Sequence, residues 1–95
     1  LSDSAYYGPQ IFYDKEETKT IATIIQNNLN TNLNTNREIK KIPNKTYMYN
    51  KLTIPGVLIE CGFLSNNEEK NKLITEEYQQ KIASLIKDAI IEYFN

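Results

Sequence analysis

Apolar positions along this chain recur with two different periods. Ile21, Ile24, Ile25 and Leu29 repeat at three- and four-residue spacing, which predicts an amphipathic helix over residues 15–30. Ahead of it, Gln10 to Tyr13 is a short β-branched and aromatic run that reads as a strand. The polar lead-in of residues 1–9 ends in Gly8-Pro9, a loop signal. Asp14 offers an N-cap oxygen, with Glu17 three residues on to complete a capping box. From Asn27 to Asn36 the sequence alternates Asn and Thr around Leu29 and Leu33. Such side chains compete for backbone hydrogen bonds, so the helix is expected to fray between Asn30 and Asn34.

The second half begins with a basic connection over residues 37–46, interrupted by Pro43. Tyr47 to Leu52 reads as an edge strand, since Asn50 and Lys51 would suit no buried one. Val57 to Glu60 is a short continuous apolar run ending in a carboxylate, the pattern of a strand covered on both faces. Pro55 stands just outside its start, where a missing N–H costs least. Ser65 and Glu68 form a second capping box, opening a helix that runs to about Leu73. Thr75 caps a last helix over residues 76–94, with Tyr78, Ile82, Leu85, Ile86, Ala89, Ile90, Tyr93 and Phe94 on one apolar face. Strands alternating with helices predict an α/β layered fold of three short strands and three helices. Three short strands are few for a complete sheet, and so wide a stripe needs a partner surface. A piece of the fold is therefore expected to lie outside the chain.

Composition adds bounds. Ninety-five residues allow at most one small domain with a modest core. The net charge of −1 argues against general affinity for nucleic acid. The charge is uneven: residues 37–51 hold five bases (Arg37, Lys40, Lys41, Lys45, Lys51) against Glu38 alone. That stretch reads as a solvated loop or edge strand, or as a rim that attracts an anionic polymer. The chain has one cysteine, and so no internal disulfide. No run approaches the roughly 18 apolar residues of a membrane span. The chain starts at Leu1 without an initiator Met, and cleavage from a longer protein is the expectation.

Candidate chemistry is sparse. With no histidine, the chain cannot assemble a conventional catalytic zinc site or a His-based triad by itself. Glu60 stands out, because open α/β sheets keep ligands and chemistry at the carboxyl ends of their strands. Partial desolvation there would suit a carboxyl to proton transfer; an ordinary solvated strand-end Glu fits the pattern too. Cys61 lacks the positive environment that makes a thiolate, so a buried structural cysteine is expected. Tyr6, Tyr7, Tyr13, Tyr47 and Tyr49 could stack on a sugar, or simply belong to the sheet. A carboxylate-pair glycosidase using Glu60 with Glu68 or Glu69 is the weakest option, since Glu68 falls at a helix start.

At Glu60 the run Val57-Leu58-Ile59-Glu60-Cys61-Gly62-Phe63-Leu64-Ser65-Asn66, preceded by Ile54-Pro55, closely resembles the C-terminal signature of the zinc-dependent N-acetylmuramoyl-L-alanine amidases of the amidase-3 family. Tyr7-Gly8-Pro9-Gln10-Ile11-Phe12-Tyr13, Asn36-Arg37 and the closing helix from Glu76 to Phe94 resemble further family segments in the right order. The match runs over essentially the whole chain. Segment order and spacing look most like the spore-cortex members that act in making muramic-δ-lactam.

The resemblance implies a hydrolase that cuts the amide between N-acetylmuramic acid and L-alanine of the stem peptide. It implies a Zn2+ held by two His and one Glu, all upstream of this segment, with Glu60 as general acid/base. Arg37 and Asn66 are candidates for substrate binding. The chain is then expected to be the C-terminal part, residues 1–95, of one amidase-3 catalytic domain, inactive without its N-terminal half. Expected partners are peptidoglycan, that N-terminal half, and a regulatory protein or another chain. The expected location is outside the cytoplasm, in the cell wall or in the spore cortex and intermembrane space. The alternative is a non-catalytic module that binds cell wall or another protein, motivated by the basic stretch and the tyrosines.

Overall fold

A computed structural model describes residues 7–43 and 56–95. Its elements, in chain order, are strand β1 (Gln10–Tyr13), a 3-10 turn (Glu16–Thr18), helix α1 (Lys19–Leu33), strand β2 (Lys40–Lys41), strand β3 (Val57–Glu60), helix α2 (Asn67–Leu73) and helix α3 (Glu76–Phe94). The three strands form one mixed sheet in the order β2-β1-β3. β1 runs parallel to β2 with Phe12 opposite Lys40, so α1 is the crossover of a β-α-β unit. β1 runs antiparallel to β3, with Gln10 opposite Glu60 and Ile11 opposite Ile59.

One face of the sheet and two helices make the core. Ile11, Ala22, Ile25, Leu29, Ile82 and Ala89 are buried together, with Tyr13, Val57, Ile59, Leu85 and Ile86 packed around them. The three- and four-residue spacing of α1 thus lays its stripe on β1 and presents a second flank to α3. Side chains alternate across a strand, so Gln10, Phe12, Leu58 and Glu60 share the opposite face of the sheet.

Side chains finish what the short strands leave undone. β2 reaches only Phe12 and Tyr13. Beyond it the Gln26 amide takes the place of a strand: its oxygen accepts from the Ile11 N–H at 2.9 Å and its nitrogen donates to the Pro9 carbonyl at 3.0 Å. α1 ends at Leu33, with Asn34 in the left-handed region at φ 57° as its C-cap. Asn30 then holds the departing chain, donating to the Arg37 carbonyl at 2.7 Å and accepting from the Thr35 hydroxyl at 2.9 Å. The Asn-rich tract that weakens the helix end therefore fixes the loop after it.

The structure departs from the sequence reading in several places. The second strand is Lys40–Lys41, inside the stretch read as a basic connection; the strand expected at 47–52 lies outside the described residues. Both lysines are exposed at the sheet edge, as the edge-strand reading had it. Gly8-Pro9 is loop, as its sequence signals, but it is buried, with Gly8 at φ +91°. A Cβ there would stand 2.8 Å from Thr35 Cγ2. Asp14 accepts from the Thr18 hydroxyl at 3.0 Å, so Thr18 and not Glu17 answers it. Val57 to Ile59 are half-buried and Glu60 is exposed, so the strand is not covered on both faces.

Candidate active site around Glu60

Glu60 ends β3 and is exposed. Its neighbour across the ladder, Gln10, is buried on the same face. Gln10 is held by three bonds: its amide nitrogen donates to the carbonyls of Glu38 at 2.6 Å and Ile11 at 3.1 Å, and its oxygen accepts from Arg37 Nε at 3.0 Å. The Arg37 guanidinium also lies over the Phe63 ring, 4.9 Å from the centroid. The structure thus brings Arg37 to the residue that flanks Glu60, and uses it to join β1 to the loop after β3.

Past Glu60 the chain turns through Cys61 and Gly62 into buried Phe63. The turn rests on Glu69, a carboxylate only 6% exposed in the first turn of α2. Glu69 Oε1 accepts from the Gly8 N–H at 2.7 Å and from the Phe63 N–H at 3.3 Å. These donors flank the last ladder pair, two residues before Gln10 and three after Glu60. Burying a carboxylate is costly unless it is hydrogen-bonded, and these two charge-assisted bonds offset that cost. A Cβ on Gly62 would come within 2.9 Å of the same oxygen and of Leu73 Cδ1, so glycine lets the turn lie flat against Glu69.

Asn66, the other substrate-binding candidate, is the N-cap of α2; its side chain accepts from the Glu69 N–H at 3.1 Å. The cap expected at Ser65 therefore falls one residue later, on Asn66, which takes the Glu69 N–H. This cap delivers the Glu69 side chain beneath the Glu60 turn. It also removes Glu69 as partner for a carboxylate-pair glycosidase, because its oxygen is committed to backbone. Thr75 caps α3 as expected, accepting from the Tyr78 N–H at 3.2 Å.

Cys61 is exposed at the turn rather than the buried structural cysteine expected, yet partial desolvation of its thiol pushes the pKa above its ordinary 9.0. A protonated thiol is a poor nucleophile, consistent with a bland role. Tyr78 is likewise pushed up, first by burial and then by the charges of Glu69 and Cys61. Tyr7 is about half exposed beside a cleft of about 280 Å³ shared with Thr35, Asn66, Glu69 and Tyr78. Among the described residues no three of His, Cys, Asp and Glu converge on a point where a metal could sit.

The sequence profile of the N-acetylmuramoyl-L-alanine amidase family, Amidase_3, matches residues 1–92, and the chain belongs to that family. Members are generally zinc enzymes.

Among individual relatives, the chain is 42% identical to the germination-specific N-acetylmuramoyl-L-alanine amidase of Bacillus subtilis, across 99% of this chain and 40% of that protein. It is 32% identical to the amidase LytC of the same organism, across 92% of the chain and 18% of LytC. Among solved structures, the CwlD amidase of Clostridioides difficile, determined in complex with the GerS lipoprotein, superposes with a TM-score of 0.87 at 41% identity, across 99% of this chain and 49% of that one. The catalytic domain of CwlV from Bacillus (Paenibacillus) polymyxa var. colistinus gives 0.81 at 29% identity, with 99% and 52% covered. The chain thus spans about half the length of these solved chains, and less of the curated relatives.

Proposed function

We propose that this chain is the C-terminal part of one amidase-3 catalytic domain, in a peptidoglycan amidase of the germination-specific kind, and that Glu60 is its general acid/base. The whole enzyme hydrolyses the amide between N-acetylmuramic acid and L-alanine, in the spore cortex route to muramic-δ-lactam. The observation that carries the reading is the placement of Glu60: exposed at the carboxyl end of β3, just before a turn anchored by buried groups. An exposed carboxylate on a fixed backbone can take a proton from the attacking water as the water oxygen adds to the lactyl carbonyl carbon. It can then hand that proton to the departing alanine nitrogen as the C–N bond breaks.

Zinc ligands belong, on this proposal, to the remainder of the domain, and the isolated chain is inactive. Arg37 supports the reading by ordering the Gln10 neighbour, and Asn66 by capping α2. The enzyme is exported and acts in the cell wall or cortex; among the described residues no helix is long and apolar enough to cross a membrane. A protein partner is part of the proposal, since CwlD of Clostridioides difficile was solved with the GerS lipoprotein.

The test is Glu60→Gln in the full-length protein, assayed by release of stem peptide from peptidoglycan. Activity should fall about a hundredfold or more, the scale of a positioned acid/base group. Activity equal to that of the parent would remove Glu60 from the mechanism.

A further inference from the structure

We propose that Glu69 is a positioning residue for Glu60: its buried carboxylate grips the backbone on both sides of the last β1–β3 pair and so fixes where the Glu60 side chain leaves the sheet. The inference rests on the acid/base reading of Glu60 and deepens it.

The strand ladder cannot do this alone. Gln10 opposite Glu60 is the last pair of the ladder, so backbone pairing stops at the residue whose placement matters most. Beyond that point two chain segments diverge, one back through Pro9 to Gly8 and one on through Cys61 to Phe63. Glu69 Oε1 takes the N–H of each, at 2.7 Å and 3.3 Å, and so extends the pairing by a side chain. The grip is stiff. Glu69 is 6% exposed and fixed at its own backbone by Asn66, and a Cβ at position 62 would come within 2.9 Å of the gripping oxygen. Both donors are backbone N–H groups, and one carboxylate oxygen joins them. Without it, Glu60 would sit on a ladder end free to fray, and a displacement of about 1 Å in a catalytic group can cost about a hundredfold in rate.

The experiment compares Glu69→Ala, Glu69→Gln, Glu69→Asp and Glu60→Gln in the full-length protein. A soluble N-acetylmuramoyl-L-alanyl peptide is the substrate, and each variant's thermal midpoint is measured. Glu69→Ala should lower kcat by about tenfold to a hundredfold with KM within about twofold, the mark of an interaction realised in the transition state. Glu69→Gln should restore most of kcat, because one amide oxygen can accept both N–H groups. A purely structural role would lower the thermal midpoint and leave kcat of the folded enzyme alone.

Unchanged kcat in folded Glu69→Ala overturns the inference, and the role of Glu60 stands if Glu60→Gln is inactive. A raised KM with normal kcat also overturns it, placing Glu69 in substrate binding. Full activity in Glu60→Gln overturns both. If Glu69→Ala does not fold, Glu69→Asp decides, its oxygen one methylene short. Reduced kcat in a folded Asp variant supports the positioning role; normal kcat or no fold overturns it.

Discussion

Two glutamates nine residues apart occupy opposite situations. Glu60 closes a strand and faces solvent; Glu69 opens a helix and is sealed beneath the turn that Glu60 begins. The buried one is consumed by backbone donors and can do no chemistry. The exposed one has no such duty and is available for it. The difference shows how a short motif divides labour: one carboxylate is architecture, and the architecture serves the other.

The comparison can be broken most directly by stability. Replacing Glu69 with Ala removes the carboxylate acceptor of the Gly8 and Phe63 N–H groups, each lost bond worth about 1–3 kcal/mol. Urea unfolding of the full-length protein should therefore show a loss of about 2–6 kcal/mol. Glu60→Gln, on the exposed carboxylate, should stay within about 0.5 kcal/mol of the parent. Equal losses would erase the distinction.

A smaller effect tests how Glu69 is delivered. Asn66→Ala removes the α2 cap and should cost about 1 kcal/mol in the same measurement, while Ser65→Ala should cost less. The reverse order would restore the cap to Ser65.

The smallest effect concerns the other end of β3. Burial raises the Asp14 pKa, but bonds from the Gly56 N–H and the Thr18 hydroxyl outweigh it and hold the carboxyl below its ordinary 3.8. A carboxyl depressed in the folded state contributes stability that is present above pH 3.8 and lost as pH falls through the lower folded value. Asp14→Asn should flatten the acid end of the stability profile below about pH 4 and leave the Glu69 region untouched.

The sequence exposed most of this frame where the signals were local. The spacing of the isoleucines found α1, the apolar run found β3, and Thr75 marked the start of α3, all from near neighbours. Legibility failed where the deciding contact was distant. Ser65 with Glu68 and Asn66 with Glu69 are equally good capping boxes on paper; the bond from Gly8, 61 residues away, favours the second. Lys40–Lys41 carries no strand propensity, and is a strand because β1 offers it an edge. Glu60 was legible as a candidate because strand ends are where such sheets keep chemistry. Glu69 was not, since its partners are main-chain groups that leave no mark on side-chain patterns. The apolar face of α3 was legible too, and its last turn leaves Phe94 76% exposed, in keeping with a stripe wider than the described core can cover.

Gln26 carries a consequence of its own. By taking the Ile11 N–H and the Pro9 carbonyl, it acts as a register pin on the outer edge of β1. A slide of β2 toward the start of β1 would meet an amide already in place. A slide by a single residue would also turn every side chain of that strand to the wrong face. One glutamine thus lets a two-residue strand have only one address.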